Sequence, residues 1–135
     1  MSGGLQWEVF LRDNGGGTTY LAWMLSAWGW TLSVALCSLV VALVVGAAMG
    51  IARTAPSRAL VLTGTAWTEL FRNVPLLVQI FLWYHVVPSL FETLRTVPSF
   101  VLVVFALGFF TSARVSEQVM AGVQSLPKGQ REAGL

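Results

Sequence analysis

Charged residues are scarce in this chain of 135 residues. They make up 10% of the sequence, against roughly a quarter in soluble proteins. A soluble domain of this size needs a large polar surface, because small domains bury only about two-thirds of their area. Hydrophobic residues reach 56% and the mean hydropathy is +0.73. These values exclude a soluble globular fold and a disordered chain. The sequence also lacks a stripe of basic residues, which argues against binding of nucleic acid.

Residues that carry catalytic or metal chemistry are equally rare. The single cysteine, Cys37, excludes an intrachain disulfide and a cysteine-rich metal site. The only histidine, His85, is predicted to be an interfacial residue. The sequence contains no HExxH, GxSxG or GxxxxGK[ST] motif and no paired carboxylates. We therefore predict no catalytic residue, no metal site and no cofactor in this chain.

What the sequence does have is long apolar runs, which predict an all-α integral membrane protein. Residues 20–52 contain no charge, and about 20 apolar residues suffice to cross a bilayer. Three spans are predicted, near residues 30–51, 59–88 and 99–124, after a periplasmic segment 1–20. Within the first span, Gly46 and Gly50 form a GxxxG pair, which predicts close packing against another helix.

The second apolar region is too long for one plain helix. Residues 59–88 would measure about 45 Å as a continuous helix, whereas the hydrocarbon core is about 30 Å thick. Pro75 lacks a backbone N–H and disfavours a helical residue before it. We predict two pieces, 57–72 and 74–87, joined at Asn73. Irregular backbone inside a membrane is tolerated only against other protein or a water-filled cavity, so a break at this place indicates a functional site. The alternative is that the first piece lies along the cytoplasmic interface.

Polar residues in the broken span and in the third span are candidates for a substrate path. Asn73 is predicted to cap the helix that follows it, beside Arg72, and Glu69 to hold Arg72 when substrate is absent. In the third span, Arg114 and Glu117 are three residues apart and predicted to pair, for structure or for transport. The polar face of that helix is predicted to hold Thr111, Arg114, Gln118 and Ser125.

The charges of the short loops predict the orientation. Lys and Arg are commoner in cytoplasmic loops. Arg53, Arg58, Lys128 and Arg131 lie on one side of a three-span arrangement, and Arg12 and Arg95 on the other. The N-terminus is therefore predicted to be periplasmic and the C-terminus cytoplasmic.

Two segments resemble a known family. They are residues 69–79, ELFRNVPLLVQ, and residues 112–118, SARVSEQ, followed by 124–133, QSLPKGQREA. Together they are similar to the permease subunits of polar amino-acid ABC importers. Residues 18–21 and 67–84 resemble the glutamate/aspartate members most.

The resemblance implies the N-terminal part of a type I importer permease in the bacterial inner membrane. It implies a second permease subunit, a periplasmic amino-acid-binding protein and cytoplasmic ATPase subunits that bind the ATP. It adds Gln79 to the substrate-path candidates. It also implies that residues 126–135 begin the ATPase-coupling segment, in which Gly134 replaces the last alanine of the family's Glu-Ala-Ala motif. The coupling candidates are Pro127, Lys128, Gly129, Glu132, Ala133 and Gly134.

Since the sequence ends at Leu135, the permease domain over 21–135 is expected to be partial, without the family's remaining two spans. Two other readings stay open. One is a small three-span protein with a structural or regulatory role. The other, less favoured, is an integral membrane enzyme.

Overall fold

The computed structural model describes residue 4, residues 6–127, residue 129 and residues 133–134. The described chain is helical, as predicted, and no strand occurs in it. A 3₁₀ turn at Trp7–Leu11 precedes α1, Tyr20–Ala52, and α2, Arg58–Asn73. After a break come α3, Leu76–Phe81, a π-helical turn, Leu82–Val86, and α4, Val87–Leu90. A 3₁₀ turn at Glu92–Thr96 leads into α5, Ser99–Gln124.

The described chain divides into two compact units, residues 1–35 and 36–135. In the first unit, the loop before α1 is stabilised by its own side chains. Asp13 Oδ1 accepts hydrogen bonds from the N–H groups of Gly15 and Gly17, and both glycines have positive φ angles, 84° and 80°. The Thr19 hydroxyl accepts a bond from the Ala22 N–H at 3.2 Å, which satisfies one free donor at the start of α1.

In the second unit, α1 and α5 pack through small residues. Ser38, Ala42, Gly46 and Gly50 recur every four residues along α1, and all four are buried. A Cβ built on Gly46 would lie 2.5 Å from Val115 Cβ, and one on Gly50 would lie 2.7 Å from Val119 Cβ. The two backbones can approach this closely only because these positions carry no side chain.

The helix break begins one residue later than predicted. Asn73 is the last residue of α2, and the irregular residues are Val74 and Pro75. Pro75 forces the residue before it out of the helical region, and Val74 accordingly has φ −91° and ψ 125°. The prediction that Asn73 caps the following helix is therefore wrong.

The second half of this region also runs further than predicted, to Leu90 rather than Val87. Its π-helical turn ends where the Val87 N–H donates to the Leu82 carbonyl, five residues back. Pro88 follows directly and has no N–H to offer the carbonyl of Tyr84. The wider turn is the expected local adjustment to such a proline.

Within the described residues, two helices, α1 and α5, are long and apolar enough to cross a membrane. A third span is present if α2 and residues 76–90, which are bent by 100° relative to each other, count as one. Many large apolar side chains of these helices are exposed, including Leu36, Val40 and Val44. Lipid contact accounts for such exposure, since hydrocarbon tails are as apolar as the side chains they meet.

Candidate functional site

The candidate site is built around the break between α2 and α3. In a continuous helix, the Phe71 carbonyl would accept a bond from the N–H of residue 75, but residue 75 is a proline. The side chain of Gln79 supplies the missing donors. Its Nε2 donates to the Phe71 carbonyl at 3.0 Å and to the Val74 carbonyl at 2.9 Å. The break is thus closed by a side chain from the helix that follows it.

A polar seam joins α2 to α5 one turn before the break. The hydroxyls of Thr68 and Ser116 are 2.9 Å apart, and both residues are fully buried. Trp67 Nε1 donates to Ser112 Oγ at 3.0 Å, and Arg53 Nη1 reaches Ser116 Oγ at 3.5 Å. Because apolar side chains gain little from association in lipid, hydrogen bonds of this kind contribute to holding such helices together.

The seam fixes which carboxylate Arg72 meets. Arg72 lies four residues after Thr68, on the same face of α2, and its Nη1 donates to Oε1 of Glu117 on α5. The two side chains are 53% and 37% exposed, so the pair is open to a third charged group. The predicted partner, Glu69, is exposed on α2. The expectation that Glu69 holds Arg72 does not match this geometry.

The predicted pairing of Arg114 with Glu117 is likewise replaced. The Arg114 guanidinium lies over the Phe110 ring, 4.1 Å from its centroid, and Nη1 donates to the Phe110 carbonyl. Local spacing allowed the pair, but Glu117 faces α2 and Arg114 is exposed. The six substrate-path candidates therefore fall into two groups. Four lie at the break, namely Arg72, Asn73, Gln79 and Glu117, whereas, among these described residues, Glu69 and Arg114 form no ion pair with Arg72 or Glu117.

An aromatic cluster also packs next to the break. Trp67 packs against Phe71 with ring centroids 4.4 Å apart, and both contact Phe109. Trp83, from the π-helical turn, also contacts Phe109. Beside these rings lies an apolar cavity of about 300 Å³. The stacking fixes α2 and the π-helical turn on α5.

The coupling candidates fall at the end of the described chain. Gly129 and Ala133 have helical backbone, and Pro127 and Gly134 flank them outside regular helix. Lys128 and Glu132 lie outside the described residues. Among the residues that the structure describes, no group of three or more histidine, cysteine, aspartate or glutamate side chains is placed to hold a metal ion.

Three residues of the seam, Thr68, Ser112 and Ser116, were missed by sequence reasoning. The buried face of α5 carries Ser112, Ala113 and Ser116, whereas the predicted polar face held Gln118 and Arg114, which are exposed. Ser112 and Ser116 are four residues apart, and that spacing of small polar residues was the available signal.

No protein-family profile matches the chain. The glutamate/aspartate import permease protein GltJ of Escherichia coli K12 is 44% identical over 96% of the chain and 57% of its own length. The glutamate transport system permease protein GluD of Corynebacterium glutamicum is 34% identical over 96% of the chain and 46% of its own length.

A solved structure gives the same result. The "Crystal structure of an amino acid ABC transporter with histidines" matches with a TM-score of 0.63 and 26% identity, over 82% of this chain and 53% of that one. The chain spans about half the length of the curated relatives it matches. The resemblance read from the sequence is confirmed: the chain is homologous to the permease proteins of amino-acid ABC transporters.

Proposed function

We propose that the chain is the membrane-spanning permease part of an ATP-driven importer of acidic amino acids, glutamate and aspartate. The observation that carries this proposal is the 44% identity to a glutamate/aspartate import permease over nearly the whole chain. The bent second region supports it, because discontinuous helices in transporters lie where the substrate passes. The role is transport, with no catalysis in this chain.

The partners follow from the same proposal. A second permease subunit completes the path, a periplasmic binding protein delivers the amino acid, and cytoplasmic ATPase subunits bind and hydrolyse ATP. Residues 126–135 begin the segment that docks on the ATPase. The protein is a multi-pass protein of the bacterial inner membrane.

Reconstituted transport tests the function. Vesicles that hold the permease pair and the ATPase, supplied with the binding protein, should accumulate labelled glutamate and aspartate only when ATP is present. Ala133→Asp should leave ATP hydrolysis in place and reduce uptake on the order of tenfold, because a carboxylate is costly to bury in a docking groove. Ala133→Ser is the matched control and should retain uptake.

Two results would contradict the proposal. Accumulation of glutamine but not of glutamate would reject the acidic substrate class. Uptake coupled normally to hydrolysis in Ala133→Asp would reject the docking role of this segment.

The orientation, with a periplasmic N-terminus, is part of the proposal and has its own test. In a Cys37→Ser background, a membrane-impermeant thiol reagent added outside should label a cysteine at Asn14 or Thr96 and leave one at Ser57 unlabelled. The reason is the excess of Lys and Arg in the loops assigned to the cytoplasm. A membrane-permeant reagent should label all three, and outside labelling at Ser57 would reverse the topology.

A further inference from the structure

The bend between α2 and α3 leaves carbonyl groups that need donors. The Phe71 carbonyl has lost its helical partner because residue 75 is proline. The Val74 carbonyl belongs to an extended residue between the two helices. Away from water, an unbonded carbonyl is costly, so a stable bend in a membrane needs an internal donor for each.

Gln79 meets this need with one amide group. Its Nε2 donates to both carbonyls, and the residue is only 3% exposed. The opposite orientation of the amide would set Oε1 against two carbonyl oxygens, so the neighbours fix which atom is the nitrogen. Oε1 is itself buried and has no partner among the described residues. The side chain has no accessible polar atom left to offer a substrate.

We infer that Gln79 is a positioning residue, which maintains the bend and through it the location of Arg72, rather than a ligand of the transported amino acid. Phe71, whose carbonyl Gln79 holds, directly precedes Arg72 in the last turn of α2. Arg72 in turn binds Glu117 on α5. The amide therefore connects the start of α3 to the turn that carries the interhelical ion pair.

A distance measurement tests the inference independently of transport. In a Cys37→Ser background, spin labels at Leu62 and Leu90, both well exposed, report the two arms of the bend in the protein in lipid vesicles. At about 1.5 Å per residue, a straight helix would separate them by roughly 42 Å, and a bend of 100° reduces this to roughly 25 Å. Methionine has a side chain of similar length to glutamine but no hydrogen-bond donor. Gln79→Met should therefore lengthen the mean distance between the labels by at least about 5 Å and broaden the distance distribution.

A second substitution distinguishes donation of hydrogen bonds from packing. Pro75→Ala supplies a backbone N–H for the Phe71 carbonyl. Alone it should leave the bend in place, because Gln79 already satisfies that carbonyl. In the Gln79→Met background it should straighten the helix, so the combined shift should exceed the sum of the single shifts. Gln118→Met, the same replacement at an exposed position of α5, is the control and should change nothing.

The consequence for uptake rests on the proposed function, whereas the distances do not. In the reconstituted transporter, Gln79→Met should reduce uptake on the order of tenfold, since a displacement of about 1 Å in a positioned group is enough for effects of this size or larger. A wild-type distance in Gln79→Met, or strictly additive shifts, would overturn the inference even if transport of acidic amino acids is established. Unchanged uptake in a variant whose bend has opened would overturn the link to Arg72.

Discussion

Gly46→Ala should lower the free energy of unfolding by about 1–3 kcal/mol, and Gly46→Leu by more. The added Cβ would lie 2.5 Å from Val115 Cβ and 2.8 Å from the Ser112 carbonyl oxygen. The carbonyl oxygen is part of the backbone of α5 and the Cβ atom is bonded directly to it, so neither atom can rotate away. The helices must therefore separate, and the small-residue contact between α1 and α5 would be lost along with its dispersion energy.

Gly122 provides the matched control, because it also lies in a helix but a Cβ there would have no neighbour within 4 Å. Gly122→Ala should be neutral or slightly stabilising, by at most about 1 kcal/mol, since alanine favours the helix. Unfolding in mixed micelles, followed by tryptophan fluorescence and circular dichroism, measures both variants. Equal effects of the two substitutions would mean that Gly46 is not at a close helix contact.

The sequence was most informative where local chemistry decides the structure. The absence of charge over residues 20–52 predicts a long apolar helix, and the GxxxG spacing predicts that Gly46 and Gly50 approach another helix. The length of the second region and Pro75 together predict a break, although its position at Val74 and Pro75 depends on how the proline restricts its neighbour.

What could not be predicted depends on long-range contacts. Local spacing favours Glu69, three residues before Arg72, as the partner of Arg72. The observed partner, Glu117, depends on the register of α2 on α5, which Thr68 and Ser116 set. The role of Gln79 was also hidden. Its donors become necessary only when the bend has freed two carbonyls, and the motif that contains it suggested a substrate ligand instead.

The second large effect concerns Arg72 and follows from its observed partner. An acidic amino acid carries a net negative charge, and Arg72 is a half-exposed cation with forked donor geometry at the bend. In the structure, Glu117 neutralises Arg72. Under the proposed function, we expect the substrate carboxylate to compete with Glu117 for the guanidinium of Arg72. This competition weakens the attraction between Arg72 and the substrate, so that the substrate is not trapped.

Arg72→Gln should therefore reduce uptake of glutamate by on the order of tenfold or more while reducing uptake of a neutral amide analogue far less, because one unit charge at about 6 Å in a partly wet site is worth about 1–3 kcal/mol. Glu117→Gln should have the opposite effect on selectivity: it frees the charge of Arg72 and raises the ratio of acidic to neutral uptake. The measurement is uptake of both substrates by reconstituted vesicles with saturating binding protein.

The charge-swapped pair, Arg72→Glu with Glu117→Arg, decides between this role and a purely structural one. The swap rebuilds an ion pair between α2 and α5, so folding and ATPase docking should return to wild-type levels. It places the carboxylate at the bend, however, and uptake of glutamate should stay low because the substrate now meets a like charge there. Arg95, which pairs weakly with Glu92 in the 3₁₀ turn, serves as the control: Arg95→Gln should leave selectivity unchanged. Full recovery of glutamate uptake in the swapped variant would show that Arg72 and Glu117 only hold the two helices together.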